Sequence, residues 1–402
     1  MNKLVRATVE EAAEIMKNGG MIILTDDELR ENEGDLVCAA EFVTPAAINF
    51  MATYGKGLIC AALSAERCDS LGLEQMSQNN SCRFGTAFTV SVEAAEGVTT
   101  GISAFDRAKT IKVLSNPSST SKDINKPGHV FPLKAKEGGV LVRAGQTEGS
   151  VDLCRIAGID QSAVICEIMN DDGTMMRMDG LEKYAETHNL KILTIADIIE
   201  YRKLHDKLVE KISSAILPTK YGTFKIEGYR NLIDGKEAVA LIKGDINKDE
   251  TPLVRIHSQC ITGDGFASKR CDCGNQLHTA MELIEKNGYG IILYMFQEGR
   301  GIGLLNKIKA YKLQDQGYDT VQANIMLGFK DDERDYSFGA FILRQLGVNS
   351  LKLLTNNPRK SEGLKDFGIN ILERVPMNCG IDEENIGYMK TKKDKLGHIL
   401  DL

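Results

Sequence analysis

One charged helical stretch separates two regions in which helix and strand patterns alternate, and this arrangement predicts two α/β domains. Residues 194–212, TIADIIEYRKLHDKLVEKI, place polar side chains on most faces of a helix, which is typical of a segment that bridges domains. Strand patterns then resume in FKIEGYR and AVALIKGD. At 402 residues the chain exceeds one ordinary core. We expect domains at residues 1–205 and 206–402, each α/β (α+β) with a mixed sheet flanked by helices.

Local patterns in the first half predict both helices and strands. Residues 9–18 have the periodicity of a short amphipathic helix, and MIILTD at 21–26 reads as a buried strand. Thr44 and Pro45 have the N-cap and first-turn chemistry that begins a helix. Further strands are predicted at residues 57–62, 87–92, 139–142 and 164–169.

Composition and charge exclude several classes of protein. No apolar run approaches the ~20 residues of a membrane span, and a net charge of −7 disfavours a general nucleic-acid binder. The first residues, MNKLVRATVEEAAEIMKNGG, are acidic where a signal peptide is apolar. We therefore expect a cytoplasmic protein whose ten cysteines are reduced thiols or metal ligands. We expect neither nucleic acid nor a membrane as its partner.

Three cysteines on one short loop, Cys260, Cys271 and Cys273, indicate a catalytic zinc site. Structural zinc usually has four protein ligands, whereas catalytic zinc keeps three and leaves the fourth position to water. Buried incidental cysteines are one alternative, and a zinc-ribbon binding module is another. A zinc ribbon would need a second pair of ligands, and the nearest other cysteine in sequence is Cys379.

Anion-binding features follow the cysteine loop. YGIILYMFQEGRGIGLLNKIKAY reads as a strand, a glycine turn around Arg300 and a helix, which suits a polyphosphate. Asp332 and Arg334 in DDERDY, with Thr355 and Lys360 in LLTNNPRK, add a carboxylate for proton transfer and further cations. Taken singly, the glycine turn has the alternative of a packing turn between strand and helix. DDERDY and LLTNNPRK have the alternative of solvated charge runs.

Together these motifs closely resemble GTP cyclohydrolase II of riboflavin synthesis over roughly residues 206–402. The resemblance implies that one zinc ion, bound by the three cysteines, activates a water that opens the guanine ring, with release of formate and pyrophosphate. It further implies Asp332 as proton acceptor, Arg334 acting at the α-phosphate, and Tyr311 at a catalytic position. The GTP contacts it implies are Arg255, Ile256, His257, Ser258, Gln259, Gln276, Glu298, Gly299, Arg300, Thr320, Thr355 and Lys360.

Three positions depart from that family's usual pattern. Gln259 and Gln322 stand where glutamate is usual, and Phe296 stands where arginine is usual. Each exchange removes a charge. The sequence therefore predicts a complete zinc centre with altered substrate positioning.

The first half carries acidic residues directly after its predicted strand MIILTD. In RENEGD, Glu31, Glu33 and Asp35 supply hard oxygen ligands of the kind magnesium prefers. His129 lies in KPGHVFPLKA, and Glu167 is a carboxylate on an otherwise apolar strand. An acidic surface loop is the alternative.

RENEGD, TTGISAFDRAKTI, KPGHVFPL, TEGSVDL and EIMNDDGTM resemble 3,4-dihydroxy-2-butanone 4-phosphate synthase over roughly residues 1–205. That resemblance implies conversion of ribulose 5-phosphate at a magnesium or manganese site, with formate released. Glu31 and Gln146 would bind the metal, and His129 and Glu167 would be essential for turnover. The substrate contacts it implies are Arg30, Glu31, Asp35, Arg143, Ala144, Gly145, Gln146, Thr147 and Glu167. Both families suggest a homodimer by analogy.

Gln146 and Leu29 depart from the synthase pattern. The family has histidine at the first position, in a GHTE sequence, and commonly aspartate at the second. An amide cannot titrate near neutral pH as imidazole does, so the sequence predicts a synthase half that folds but turns over poorly.

Three hypotheses therefore remain open at the level of sequence. The chain is a bifunctional enzyme of riboflavin synthesis, or a cyclohydrolase with a non-catalytic scaffold or regulatory first half, or a degenerate protein that holds GTP without opening it. Formate release from each substrate distinguishes them.

Overall fold

The chain divides into two compact units, Met1–His205 and Asp206–Leu402. The structure is a computed structural model, and it describes residues 5–246, 251–377, 379–380 and 382–400. No helix within the described residues is long and apolar enough to cross a membrane.

The first unit alternates helices with strands. Its helices are α1 Val9–Lys17, α2 Pro45–Phe50, α3 Ala65–Ser70, α4 Ala104–Ser115, α5 Gln146–Ala157, α6 Met178–His188 and α7 Ile195–His205. Its strands are β1 Met21–Thr25, β2 Gly34–Ala39, β3 Cys60–Leu63, β4 Val92–Ala94, β5 Ile124–Lys134, β6 Ser162–Glu167 and β7 Ile192–Thr194. A π-helical turn, Met51–Gly55, extends α2, and 3₁₀ turns lie at Ser121–Asp123 and Gly139–Leu141.

The seven strands form one mixed sheet with the order β4-β5-β3-β6-β2-β1-β7. Neighbouring residues of a strand point to opposite faces, and the burial follows this rule. Ile23 and Leu36 pack in one core, whereas Leu24 and Val37 pack in the other. The first core includes residues of α2, α4 and α6, and the second includes residues of α1, α5 and α7. The sheet is therefore covered by helices on both faces.

The second unit also contains a seven-stranded sheet. Its strands are β8 Val209–Thr219, β9 Gly222–Asn231, β10 Glu237–Lys243, β11 Leu253–Ser258, β12 Gly290–Met295, β13 Ser350–Leu354 and β14 Asn370–Val375. Its helices are α8 Ile261–Asp264, α9 Cys273–Asn287, α10 Leu304–Gln314, α11 Thr320–Met326, α12 Ser337–Gln345, α13 Pro358–Lys365 and α14 Ile386–Leu396, with a 3₁₀ turn at Glu298–Gly301.

The strand order of this second sheet, β14-β13-β11-β12-β10-β9-β8, changes direction at β11. From β11 the chain goes to β12 on one side, then crosses back to β13 on the other, and all three strands are parallel. In open α/β sheets a crevice forms beyond the carboxyl ends of strands where the order reverses. The two mixed sheets flanked by helices confirm the fold class predicted from sequence.

Most predicted local elements are confirmed, and three are corrected. Helix α1, strand β1 and the Thr44 cap of α2 occur as predicted. Residues 139–142 are not a strand, because Gly138 and Gly139 both have positive φ and turn the chain. The strand predicted at 87–92 is displaced to β4. The helix predicted to reach residue 212 ends at His205, after which the chain enters β8.

Candidate active sites

The first candidate site lies beyond the carboxyl ends of β11, β12 and β13. These adjacent parallel strands end at Ser258, Met295 and Leu354. The segments that follow them are the cysteine loop, the QEGRG turn and the TNNP loop, each predicted from sequence to carry functional residues. Segments far apart in sequence therefore meet at one edge of the sheet.

The three cysteines come together as a triad of thiols. The Sγ atoms of Cys260, Cys271 and Cys273 all lie within 4.8 Å of one another, and those of Cys260 and Cys271 are 3.6 Å apart. Gly263 makes this spacing possible, because a Cβ there would lie 3.0 Å from Cys271 Sγ and 3.2 Å from Cys260 Sγ. Three convergent soft donors in this geometry fit a zinc ion.

The carboxylate of Asp264 holds Cys260 in position through its backbone. This carboxylate accepts hydrogen bonds from the backbone N–H of Cys260 at 2.9 Å and from the hydroxyl of Tyr294 at 2.8 Å. The same carboxylate lies 3.1 Å from Nε2 of His257, which is buried. Groups that orient a metal ligand in this way stabilise the geometry of the ligand set.

A lysine places positive charge against the triad. The ammonium of Lys307 lies 3.1 Å from Cys260 Sγ, and it also donates to Glu298 at 2.7 Å and to Thr262 at 2.9 Å. Hydrogen bonds from the neighbouring thiols and the charge of Lys307 lower the pKa of Cys260. The hydrogen bond with Cys260 raises the pKa of Cys271 to about 11. Without a cation among them, three thiolates repel one another, which is consistent with a site for a divalent metal.

A pocket adjoins the triad and contains most residues predicted to contact GTP. Its lining includes the three cysteines and, from the predicted set, Arg255, His257, Ser258, Gln259, Gln276, Glu298, Gly299, Arg300, Tyr311, Thr320, Arg334, Thr355 and Lys360. Two predicted residues lie elsewhere. Ile256 is fully buried in the sheet and contributes its carbonyl to Lys360 at 2.7 Å. Asp332 holds Arg334 by two hydrogen bonds, of 2.8 and 2.5 Å.

Several cations in this pocket have unused hydrogen-bond donors. No described residue accepts a hydrogen bond from either terminal nitrogen of Arg300 or from Nε of Arg255, although these atoms are buried. Burial, with the charges of Arg255 and Arg334, lowers the pKa of Lys360 well below its usual range. Buried donors without acceptors are costly, and an anion would satisfy them. The pocket is therefore suited to a polyphosphate.

Arg300 has an unusual backbone conformation that supports this role. Its φ of 63° lies in the left-handed region, next to Gly299 with the same φ. A non-glycine residue there is strained, and such strain is concentrated at functional sites. The turn places Arg300 at the pocket just before α10 begins.

The second candidate site lies in the first unit, between the ends of β1, β2 and β6. Asp35 on β2 is paired in register with Glu167 on β6. Asp26, which sequence reasoning missed, organises the loop between β1 and β2. Its carboxylate accepts from Arg30 at 2.7 Å and from the backbone N–H groups of Glu31 and Glu33 at 3.1 and 2.9 Å.

The carboxylates of this loop are crowded and partly desolvated. Burial, followed by the charge of Glu167, raises the pKa of Asp35 well above its usual range. Burial also raises the pKa of Glu31, against the opposing charge of Arg30. A bound divalent cation would relieve both effects. The chemistry of these oxygen donors therefore suits a hard divalent cation such as magnesium or manganese.

Arg30 orients the side-chain amide of Gln146. Its Oε1 accepts a hydrogen bond of 2.9 Å from Arg30. Because a guanidinium can only donate, the amide oxygen faces Arg30 and the amide nitrogen faces away from it. Nε2 is buried and has no acceptor among the described residues. Gln146 is the first residue of α5, whose N-terminus favours anions. Nε2 of Gln146 is thus an unused hydrogen-bond donor at the N-terminus of α5.

The remaining predicted residues of the first unit have well-defined partners. Arg143 donates to Glu148 at 2.5 Å and to the carbonyl of Phe84. Glu167 accepts from the backbone N–H of Leu58 at 2.8 Å. His129 lies on β5, with Nδ1 3.0 Å from Glu93 on β4. Ala144, Gly145, Gln146 and Thr147 lead into or begin α5.

Sequence reasoning also missed residues of the cyclohydrolase-like pocket. Lys307 had a local signal, because it precedes Tyr311 by four residues on α10 and so shares a helix face with it. Tyr388, Lys392 and His398 had none, since tertiary packing alone brings them to the pocket.

Comparison with known proteins identifies both units. The sequence model of the 3,4-dihydroxy-2-butanone 4-phosphate synthase family matches residues 10–201, and that of GTP cyclohydrolase II matches residues 210–376. Riboflavin biosynthesis protein RibBA of Aquifex aeolicus (strain VF5) is 56% identical over 395 residues, covering 98% of this chain and 97% of that protein. RibBA of Bacillus cereus (strain ATCC 14579) is 53% identical over 394 residues, covering 98% and 99%.

A solved structure agrees with these matches. The crystal structure of RibBX, a two-domain 3,4-dihydroxy-2-butanone 4-phosphate synthase from A. baumannii, has a TM-score of 0.65 and 37% identity, covering 92% of this chain and 99% of that chain.

These matches define a two-domain biosynthetic enzyme whose component families depend on metal ions and act on small molecules. The chain belongs to the family of bifunctional riboflavin biosynthesis proteins, which joins 3,4-dihydroxy-2-butanone 4-phosphate synthase, a lyase, to GTP cyclohydrolase II, a hydrolase. The resemblances noted in the sequence are confirmed. The hypothesis that the first half is a non-catalytic scaffold is not favoured.

Proposed function

We propose that each activity belongs to one unit: the synthase to residues 1–205 and the cyclohydrolase to residues 206–402. The support is that the groups forming the carboxylate site come from the first unit, and those forming the thiol site come from the second. The single observation that carries the cyclohydrolase assignment is the thiol triad beside a pocket of buried cations whose donors lack acceptors.

In the second unit, Cys260, Cys271 and Cys273 would hold one zinc ion. Zinc with three protein ligands supplies a Lewis acid that lowers the pKa of water and polarises a substrate bond. Lys307 offsets the negative charge of Cys260, and Asp264 keeps that cysteine in position. Tyr311 lies beside the triad, its hydroxyl 3.1 Å from that of Thr262, where it can pass a proton to or from the guanine ring.

The phosphates of GTP would occupy the cationic part of the pocket. Arg255 and Arg300 provide the donors that lack acceptors, and the amine of Lys360 lines the same pocket. Arg334 would contact the α-phosphate, because Asp332 fixes its guanidinium in two-point geometry. Although burial opposes ionisation, the hydrogen bonds from Arg334 lower the pKa of Asp332, which keeps this proposed proton acceptor ionised at neutral pH.

In the first unit, ribulose 5-phosphate would bind between the carboxylates and the N-terminus of α5. Glu31 would ligate magnesium or manganese, which stabilises an enediolate when bound. Arg30 and residues 143–147 would hold the phosphate, with Gln146 donating from Nε2. Glu167 and His129 would move protons during the rearrangement.

Assembly and location follow from the family resemblance. We expect a cytoplasmic homodimer, by analogy with both component families. Sedimentation analysis of the purified protein checks the oligomeric state.

Formate release tests the proposed function directly. Purified full-length protein, given GTP and ribulose 5-phosphate in separate assays, should release formate from each, and it should contain one zinc per chain by elemental analysis. Absence of stoichiometric zinc would overturn the thiol site. Formate from GTP alone would leave the first unit without its proposed activity.

A further inference from the structure

The C-terminal segment, residues 386–400, lies along the proposed GTP pocket. Tyr388 and Lys392 on α14 and His398 after it all line the pocket. The sequence match to GTP cyclohydrolase II ends at residue 376, so all three residues lie outside it. Their place in the pocket therefore comes from the structure and not from the family match.

This segment is tied to several parts of the site. Lys392 donates to Asp272 at 2.5 Å, between the second and third cysteines. Lys395 donates to Asp319, the N-cap of α11, at 2.5 Å. The backbone N–H of Ile399 donates to the carbonyl of Asn356 in the TNNP loop at 2.9 Å. Contacts with the cysteine loop, α11 and the TNNP loop place the segment as one wall of the pocket.

The wall adds positive charge and donors where the pocket is already cationic. The ammonium of Lys392 and the guanidinium of Arg300 lie 4.6 and 6.0 Å from the same Tyr388 ring. An ammonium has three donors, so one bond to Asp272 leaves capacity for phosphate oxygens. Burial, with the charges of Lys392 and Arg334, lowers the pKa of His398 to about 2. The imidazole is therefore uncharged and offers a ring N–H.

We propose that residues 386–400 form the wall of the pocket that binds the triphosphate of GTP, with Lys392 and His398 contacting phosphate oxygens. This inference rests on the proposed cyclohydrolase function and adds a phosphate-binding element to it. A guanosine without phosphates would gain nothing from this wall, whereas a phosphate chain would. A phosphate-binding wall should therefore affect the affinity for a phosphate chain and not the affinity for guanosine.

The test uses full-length zinc-loaded protein, with inorganic tripolyphosphate and guanosine as separate probes in titration calorimetry. Lys392→Ala should weaken tripolyphosphate binding by about 10- to 100-fold, the loss of one charge-assisted hydrogen bond, and leave guanosine binding unchanged. Lys393→Ala is the matched control, because Lys393 is exposed on the same helix and carries the same charge. It should leave the binding of both probes unchanged.

A second pair of variants guards against misfolding of the first. His398→Ala should weaken tripolyphosphate binding by about 10-fold, while Ile399→Ala, an exposed neighbour that retains its backbone hydrogen bond, should not. Equal tripolyphosphate affinity within both pairs would overturn the inference. An equal loss of guanosine binding in the two test variants would also overturn it, because the wall would then only support the fold. Absence of formate release from GTP in the wild type would instead contradict the proposed function. Calorimetry would still show whether residues 386–400 bind a phosphate chain.

Discussion

Individual side chains explain what the three charge-removing exchanges in the cyclohydrolase unit do. Gln322 is the N3 residue of a capping box in α11, where its Oε1 accepts from Asp319 N at 3.0 Å. Glutamine serves this position as well as glutamate. Phe296 is 47% exposed beside Tyr294. Gln259 lines the pocket. Of these exchanges, the one at Gln259 therefore alters the electrostatics of the pocket itself.

Gln146→His should change how the synthase depends on magnesium. In the present chain the amide oxygen accepts a hydrogen bond from Arg30. Imidazole would supply a metal ligand and a titrating group. We expect the magnesium concentration at half-maximal synthase activity to fall by about 10- to 100-fold, with a rise in turnover. Formate release from ribulose 5-phosphate at graded magnesium concentrations measures both.

The matched control for this change is Gln161→His, an exposed glutamine in the turn before β6. It should leave the magnesium dependence unaltered. If Gln146→His has the same magnesium curve as the parent chain, then histidine at this position does not complete the metal site.

At the scale of elements, sequence predicted those whose signal is local. The Thr44 cap and the strands β9 and β10 are decided by neighbouring residues and were confirmed. Residues 139–142 were predicted wrongly as a strand, because apolar Val140 and Leu141 resemble one. Their turn is held by tertiary contact, the hydrogen bond from Val140 N to Asp152 at 2.8 Å. Contacts between distant segments are not encoded in a local pattern.

The edge hairpin of β8 and β9 depends on one buried carboxylate. Glu227 accepts hydrogen bonds from Lys211 at 2.5 Å and from Tyr229 at 2.5 Å, and Lys225 lies 2.7 Å away. Burial alone would raise its pKa, but these three partners outweigh that effect and lower the pKa of Glu227 to about 2. The carboxylate is therefore ionised and stabilising at neutral pH.

Glu227→Gln should destabilise the second unit at pH 7 by about 1.5 to 3 kcal/mol, the range for hydrogen bonds to a charged group. Because the folded pKa lies below the ordinary value of 4.5, the stabilisation is complete above that value and is lost as the pH falls towards about 2. Chemical unfolding should show a smaller difference in the free energy of unfolding between variant and parent at pH 3 than at pH 7. Glu210→Gln, at an exposed pair with Arg230, is the control. If the difference in the free energy of unfolding is the same at both pH values, the ionised carboxylate of Glu227 is not what stabilises the hairpin.

At the scale of the whole molecule, sequence predicted which segments carry chemistry but not how they meet. The cysteine loop, the QEGRG turn and the TNNP loop were each recognisable, since their residue types suit metal and phosphate binding. Their convergence follows from the reversal of strand order at β11, which no local pattern specifies. Asp26 and Lys392 were missed for the same reason. Each acts through partners that packing brings to it.

The two activities should be separable by single substitutions in the full-length chain, because each candidate site draws its groups from one unit. Cys273→Ser should lose zinc and reduce formate release from GTP by more than about 100-fold, with release from ribulose 5-phosphate retained. Glu31→Gln should show the reverse pattern and keep its zinc. Cys379→Ser and the exposed Glu28→Gln are the controls for thiol and carboxylate loss, and both activities should survive in each. Loss of both activities in either test variant would mean that the two sites depend on each other.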